Sequence, residues 1–177
     1  GQRVHPSDST GWTAIILERA SRFLVEQQCG RKDAILFKKV MRSVVMYMKR
    51  TQDTTFLSDG ERRYGNALFE LCAQTVRTGK RGRPRKTLPK GCRVRLKNKG
   101  SQRHRRGPKR PKYQAPQPEH PDTPRDIPKA LIHANPLEGH NAALRRRNSA
   151  FRRRTNTYAK NADALQRTLD VHLLQHN

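Results

Sequence analysis

Residues 54–65, TTFLSDGERRYG, place a β-rich run directly before an Asp-Gly pair and the start of a helical pattern. The first five residues favour a strand because β-branched and aromatic side chains fit a pleated surface. Asp59 and Gly60 end that strand, and apolar residues recur at helical spacing through 61–74. This order predicts an α/β fold in which Asp59 lies at the carboxyl end of a strand, where open sheets of this class bind their ligands.

Two strands and a helix are predicted upstream of that unit. The apolar runs WTAIIL at 12–17 and SRFLV at 21–25 predict an antiparallel hairpin. Asp33 is a candidate N-cap, and the apolar residues that follow it recur every four positions with basic residues between them, which predicts an amphipathic helix. Residues 1–76 therefore predict the order β-β-α-β-α as the first part of a mixed-sheet core.

The middle of the chain concentrates positive charge. Residues 77–112 contain 17 Lys or Arg and no acidic residue, and ten of the 11 prolines lie between Pro84 and Pro136. Because proline lacks a backbone donor and blocks helix continuation, we expect 77–130 to be a basic, Pro-rich and largely disordered insertion. Within it, 92–96 alternates apolar and basic residues, which predicts a strand, with an irregular segment as the alternative.

Helices are predicted after the insertion, in 131–177, as the second part of the core. An apolar stripe follows Pro136, a residue that suits the first turn of a helix. Leucines at four-residue spacing from Leu165 to Leu173 predict a later amphipathic helix.

Composition indicates a polyanionic partner. The 177 residues carry 39 Lys or Arg against 14 Asp or Glu, a formal net charge of +25, so nucleic acid is the expected partner. No stretch approaches the roughly 20 apolar residues of a membrane span, and the first ten residues lack the apolar core of a signal peptide. We therefore expect a cytoplasmic, nucleoid-associated protein without a membrane partner. Three cysteines without a close pair predict neither disulfides nor a zinc finger.

Two acidic residues are candidate catalytic metal ligands. Asp59 ends a predicted strand, and helical spacing places Glu138 on one face with Asn141 and Arg145. Carboxylates that converge on Mg²⁺ or Mn²⁺ support in-line attack on a phosphodiester, because the metal activates water and stabilises the leaving oxygen. The alternatives are that Asp59 caps the helix after it and that Glu138 is a solvated acid favoured by the helix dipole.

The remaining side chains predict no other catalytic centre. None of the seven histidines has a spacing typical of metal ligands, and His133 and His140 only flank Glu138. No Gly-x-Ser-x-Gly turn indicates serine catalysis.

Basic clusters predict DNA contacts. Residues 145–147 and 152–154 are arginine triplets seven residues apart, so they stack along one side if a helix continues through both. The segment 80–86, KRGRPRK, resembles an AT-hook, an extended shape that fits a narrow minor groove. The alternatives are a solvated basic face and plain electrostatic contact. The predicted DNA-binding residues are Arg81, Arg83, Arg85, Lys86, Asn141, Arg145, Arg146, Arg147, Arg152, Arg153 and Arg154.

Two motifs resemble a known family. Residues 56–65, FLSDGERRYG, and 133–147, HANPLEGHNAALRRR, continuing through RRRTNTYAK at 152–160, are similar to bacterial insertion-sequence DDE transposases related to the smallest insertion sequences. The resemblance covers most of the chain after its first ten residues. It implies a ribonuclease-H-like fold in which two Asp and one Glu bind two Mg²⁺ ions for DNA cleavage at element ends and strand transfer. Asp59 matches the second Asp, and Glu138 matches the Glu.

The same resemblance raises the question of the first Asp. In such transposases it stands on a strand that would precede 12–17, and the chain shows no match for that strand. The last residues also stop within a helical pattern, so we expect a fragment truncated at both ends, whose own activity is open. The resemblance implies element ends and target DNA as partners and assembly as a homo-oligomer. The competing hypothesis is a nonenzymatic, AT-hook-like nucleic-acid-binding protein that acts through its basic tract.

Overall fold

The computed structural model describes residues 11–51, 54–77, 79, 81–97, 113–125, 127–133, 135–152 and 161–177. The described chain divides into two compact units, 1–44 with 135–177 and 45–134. Both units contain strands and helices, so the α/β class expected from the sequence is confirmed. Among the described helices, none is long and apolar enough to cross a membrane.

The described elements comprise strands, helices and two single-turn 3-10 helices. In chain order they are β1 (Trp12–Leu17), β2 (Leu24–Gly30), α1 (Ala34–Met48), β3 (Thr54–Ser58), α2 (Arg62–Cys72), β4 (Gln74–Val76), β5 (Arg85–Thr87), β6 (Cys92–Lys97), β7 (Tyr113–Gln114), a 3-10 helix at Lys129–Leu131, α3 (Asn135–Arg147), a 3-10 helix at Ser149–Phe151, and α4 (Ala162–His176).

The first unit begins with the antiparallel hairpin β1–β2. The second strand of this hairpin, expected at 21–25, begins at Leu24 and continues through polar residues. Arg22, with a φ of 67°, belongs to the turn that precedes it. Gln27 is 1% exposed although it is polar, because its side-chain amide donates a hydrogen bond to a helix far downstream in the sequence. The hairpin was therefore predictable, but the extent of β2 was not.

Helix α1 begins after Asp33, as expected from the sequence. The Asp33 Oδ1 atom accepts hydrogen bonds from the backbone N–H groups of Ile35 (3.0 Å) and Leu36 (3.1 Å), which satisfies donors that a helix leaves open at its start. Leu36, Val40 and Val44 are buried at four-residue spacing. The last turn of α1 belongs to the second unit.

Helix α4 packs against β2 through polar side chains as well as leucines. Gln27 Nε2 donates to the Leu169 carbonyl at 2.8 Å, and Gln166 Nε2 donates to the Gln27 carbonyl at 3.1 Å. The Asn177 side chain accepts from the Leu24 N–H at 2.8 Å and donates to the Leu24 carbonyl at 3.0 Å. Because Leu24 and Leu169 are fully buried, these bonds border the core of the first unit.

A three-stranded sheet in the order β3-β6-β7 forms the centre of the second unit. Strand β6 pairs parallel with β3, with Phe56 opposite Val94, and antiparallel with β7. Cys92, Val94 and Leu96 are buried, and the residues between them are half-buried. The strand predicted at 92–96 is thus confirmed, and it is the middle strand of the sheet.

Two further elements complete the second unit. Helix α2 approaches β6 closely at Gly65, where a Cβ atom would lie 3.5 Å from Val94 Cγ1 and 2.7 Å from Pro116 Cγ. Strands β4 and β5 form a separate antiparallel ribbon in which Val76 is opposite Arg85.

The described part of 77–130 contributes strands to the second unit. Strands β5, β6 and β7 lie in this range, which the sequence predicts as a largely disordered insertion. Residues 78, 80, 98–112 and 126, also in that range, lie outside the described residues. The division between the units falls at Val44, inside the piece 1–76 that the sequence treats as one part of the core.

Candidate functional site

Asp59 directly follows β3 and is exposed at the carboxyl end of the parallel pair β3–β6. Gly60 allows the chain to turn there, since it has a φ of 77° and a Cβ atom would lie 3.5 Å from the Lys97 carbonyl oxygen. The N-cap of α2 is Glu61, whose side chain accepts from the Arg63 N–H at 3.2 Å. The capping role considered for Asp59 therefore belongs to Glu61, and Asp59 lies at the sheet edge where α/β folds bind ligands.

Glu138 lies in the first turn of α3 and is exposed. This helix turns Leu144 and His140 inward, with 3% and 5% of their surfaces exposed, and turns Arg145 outward. Asn141, placed on the face of Glu138 by its spacing, is half-buried. Glu138 and Arg145 thus share the solvent-facing side of the helix, and the positive end of the helix dipole favours the acid there.

The two candidate carboxylates belong to different units. Asp59 lies in the second unit and Glu138 in the first. Both residues are exposed, and carboxylate oxygens are the type of donor that Mg²⁺ and Mn²⁺ prefer. Their chemistry fits such an ion, and their convergence on it remains a prediction.

The two arginine triplets do not lie on one continuous helix. The triplet 145–147 is exposed in the last turn of α3, where the helix dipole favours positive charge. Asn148 then takes an extended conformation and its side chain accepts from the Ala150 N–H at 3.0 Å, which caps a 3-10 turn. Arg152 follows that turn and donates from Nη2 to the Arg146 carbonyl at 3.2 Å. The helix therefore does not continue from the first triplet into the second, and the condition for stacking the two triplets along one helix is not met. Arg153 and Arg154 lie outside the described residues.

Four exposed basic residues lie in strand β5 and in the segment directly before it. Arg81 and Arg83 precede the strand, and Arg85 and Lys86 belong to it. Lys80, the first residue of the AT-hook-like segment, lies outside the described residues. Since Arg85 and Lys86 pair with β4, the end of this segment is held in a two-stranded ribbon rather than as a lone extended chain.

A cluster of three histidines lies in the first unit, formed by His140 of α3 with His172 and His176 of α4. Each ring offers one nitrogen, and these three atoms lie within 4.8 Å of one another. His140 and His172 are 5% and 6% exposed. Both ring nitrogens of His140 and Nε2 of His172 are buried and have no hydrogen-bond partner among the described residues. Buried polar atoms are nearly always hydrogen-bonded in folded proteins. Three unpaired nitrogens in one cluster therefore point to a ligand.

Burial favours the neutral form of the two buried rings of this cluster. Burial lowers the pKa of His140 to about 4, and the neighbouring His176 and His172 add to the effect. Burial also lowers the pKa of His172, with further contributions from His176 and Arg147. Neutral imidazole is the protonation state that binds metal ions.

The expectation that no histidine has metal-ligand spacing overlooks a signal in the sequence. His172 and His176 are four residues apart, which is one helical turn and the spacing at which two histidines on a helix can share an ion. His140 joins them only through the tertiary packing of the first unit, for which no local sequence signal exists.

A groove of about 410 Å³ lies beside this cluster in the first unit. His172 belongs both to the histidine cluster and to the wall of the groove. Arg147 and Arg167 add positive charge to the wall, and Thr168 and Gln175 add neutral polar groups. Among the three histidines, His172 lines this groove.

Comparisons of the chain with protein-family models, with curated proteins and with solved structures found no match.

Proposed function

We propose that this protein acts in DNA transposition as a metal-dependent DDE-type transposase with a ribonuclease-H-like fold. The observation that carries the proposal is the position of Asp59, an exposed carboxylate at the carboxyl end of β3 beside a parallel strand. Glu61, two residues later, is the N-cap of α2. The resemblance of 56–65 and 133–147 to DDE transposases supports the same reaction class.

In this proposal, Asp59 and Glu138 provide oxygen ligands for Mg²⁺ or Mn²⁺. The ion supplies activation of the attacking oxygen and stabilisation of the leaving oxygen at a phosphodiester. Water first cleaves the bond at an element end and releases a 3′ hydroxyl, which then attacks a target phosphodiester and displaces its 3′ oxygen. The resemblance implies one further acid, an Asp, that completes the ligand set.

Exposed arginines support a role in holding the DNA backbone. Arg145, Arg146 and Arg147 lie in the last turn of the helix that carries Glu138 in its first turn. Positive side chains on the same helix as a metal ligand suit phosphates near the scissile bond, since Arg forms paired hydrogen bonds with phosphate oxygens. Arg152 adds a further exposed guanidinium after the 3-10 turn.

The second candidate function is nonenzymatic DNA binding. The observation that favours it is the group of exposed basic residues around β5, namely Arg81, Arg83, Arg85 and Lys86. Such a group binds phosphates without needing a metal or an acid. This function predicts that Asp59 and Glu138 make no difference to metal binding.

Binding of Mn²⁺ separates the two functions. We expect the purified chain to bind Mn²⁺, measured by electron paramagnetic resonance, and Asp59→Asn and Glu138→Gln each to weaken that binding about tenfold. Asp163→Asn, which removes an acid in the first turn of α4, is the matched control and should leave the affinity unchanged. Equal Mn²⁺ affinity in all three variants would reject the transposase proposal and leave the DNA-binding one.

A further inference from the structure

We propose that His140, His172 and His176 bind one divalent transition-metal ion of the zinc class, which cross-links α3 to α4. The three residues lie in one unit, and one ring nitrogen from each lies within 4.8 Å of the other two. This site is separate from Asp59 and Glu138 in its residues and in the type of ion that it prefers. It does not depend on the transposase proposal.

The spacing of the rings fits a shared ion. The ring centroids are 5.4 Å apart for His140 and His172, 4.9 Å for His140 and His176, and 5.9 Å for His172 and His176. Imidazoles that share a tetrahedral ion at about 2.1 Å from each nitrogen have centroids about 5 Å apart. Ring rotation, with little movement of the helices, would therefore bring the nitrogens into a coordination sphere.

One ring is already oriented by a hydrogen bond outside the cluster. The Nε2 atom of His176 lies 3.0 Å from the carbonyl oxygen of Arg22. Because a carbonyl oxygen only accepts, Nε2 must carry the proton, which leaves Nδ1 of His176 with the lone pair that binds metal. A backbone carbonyl that fixes the tautomer of a histidine is a common outer contact of metal sites.

The buried nitrogens of the other two rings lack such contacts. Within the part of the chain that the structure describes, both nitrogens of His140 and the Nε2 atom of His172 are buried without a hydrogen-bond partner. Burial of an unpaired polar atom is unfavourable, and a coordinate bond to an ion would compensate for it. Without such a bond, the unpaired nitrogens of these buried histidines would destabilise the fold.

The donor set selects the class of ion. Three imidazoles suit Zn²⁺, Co²⁺ or Ni²⁺, whereas Mg²⁺ and Ca²⁺ prefer oxygen ligands. Three protein ligands leave the fourth position of a tetrahedral ion for solvent. His172 also lines the groove that contains Arg147 and Arg167, so solvent lies next to one ring of the proposed site.

Metal titration of the complete chain tests the proposal. The chain is purified without a histidine tag, stripped of metal, and titrated with Zn²⁺ by calorimetry and with Co²⁺ by visible absorption. We expect one ion per chain and the intense absorption of tetrahedral Co²⁺ without a thiolate charge-transfer band. His140→Gln, His172→Gln and His176→Gln should each weaken Zn²⁺ binding by about tenfold or more.

Matched variants test whether Zn²⁺ binding is specific to these three histidines. His120→Gln and His133→Gln, which change histidines of the second unit, should bind Zn²⁺ like the unmodified chain. His140→Leu removes a ligand but fills the buried space, so it should fold without metal and lose the rise in Tm that Zn²⁺ gives the unmodified chain. The double variant Asp59→Asn/Glu138→Gln should retain Zn²⁺ binding, which separates this site from the proposed catalytic one.

Three results would overturn the proposal. They are a stoichiometry well below one ion per chain, Zn²⁺ affinity that is unchanged in His140→Gln and His172→Gln, and a Co²⁺ spectrum dominated by thiolate ligands. The last result would assign the ion to cysteine instead.

Discussion

The side-chain amide nitrogen of Gln27, on β2, lies 2.8 Å from the carbonyl oxygen of Leu169, in the middle of α4. Gln27 is 1% exposed and Leu169 is fully buried, so the bond forms inside the first unit. Gln166 of α4 donates in return to the Gln27 carbonyl at 3.1 Å. A polar side chain in the core thus fixes how β2 and α4 pack together.

The Gln27→Ala variant is expected to destabilise the protein by about 2–4 kcal/mol, because it removes a buried hydrogen bond and leaves a cavity. Urea unfolding followed by circular dichroism measures the change. Gln175→Ala, which changes an exposed glutamine of α4, is the control and should alter stability by less than about 0.5 kcal/mol. Equal effects of the two substitutions would show that the buried amide contributes no stability.

Two helical glycines should respond in opposite directions to alanine. At Gly65 a Cβ atom would lie 2.7 Å from Pro116 Cγ, so Gly65→Ala should destabilise the second unit by about 1–3 kcal/mol through overpacking. At Gly139 an added Cβ atom would have no neighbour within 4 Å among the described residues outside its own helix backbone, and Gly139→Ala should stabilise α3 by about 0.5–1 kcal/mol through helix propensity. Thermal unfolding of both variants tests this contrast, and a stabilised Gly65→Ala would contradict the close approach of α2 to Pro116.

The turn of the first hairpin should lose stability in acid. The pKa of Glu18 is lowered to about 2, chiefly by the hydrogen bond from the Ser21 hydroxyl and also by the backbone N–H groups of Ala20 and Ser21. Since the pKa in the folded state lies below the ordinary value of 4.5, the contribution of Glu18 is complete above pH 4.5 and is lost as the pH falls toward 2.

Comparison with Glu18→Gln measures that contribution. The side chain lies near the surface, so we expect a difference below about 1 kcal/mol at neutral pH that vanishes near pH 2. Denaturant unfolding of both proteins at several pH values gives the profile. A difference that stays constant with pH would exclude the carboxylate as its source.

The basic residues around β5 should determine part of the salt dependence of DNA binding. Each phosphate contact contributes about 0.9 to the slope of log affinity against log salt, so Arg81→Ala/Arg83→Ala/Arg85→Ala should reduce the slope by about 2–3. Fluorescence anisotropy with a duplex of mixed sequence measures the slope. The control changes three exposed arginines elsewhere, Arg31→Ala/Arg42→Ala/Arg50→Ala. Equal slopes for the two triple variants would indicate that charge alone, without a defined contact surface, governs binding.

The helices could be predicted because their signals are local. Asp33 lies directly before α1, and the apolar spacing within each helix marks the side that packs. The extent of β2 could not be predicted, since Gln27 and Gln28 are polar and resemble loop residues. The burial of Gln27 depends on Gln166 and Leu169, more than 130 positions later in the chain.

The candidate sites differ in the same way. The position of Asp59 could be predicted because a strand, an Asp-Gly pair and a helix follow one another in the sequence. That Glu61, and not Asp59, is the N-cap of α2 could be seen only from the side-chain contact of Glu61. The pairing of Asp59 with Glu138 crosses the division between units and stays a prediction. In the histidine cluster, His172 and His176 share a local signal, whereas His140 is brought near by tertiary packing that no short pattern encodes.

The order in which the units are completed follows from the way the chain is divided between them. Residues 45–134 form one uninterrupted unit, so its internal contacts require neither α3 nor α4. The first unit joins segments that are separated in sequence by all of 45–134, so its β2–α4 contacts close a long loop and we expect them to form later. Until α4 emerges, the hairpin β1–β2 lacks the helix that bonds to β2, so we expect its unpaired surface to be open to misassociation during this interval.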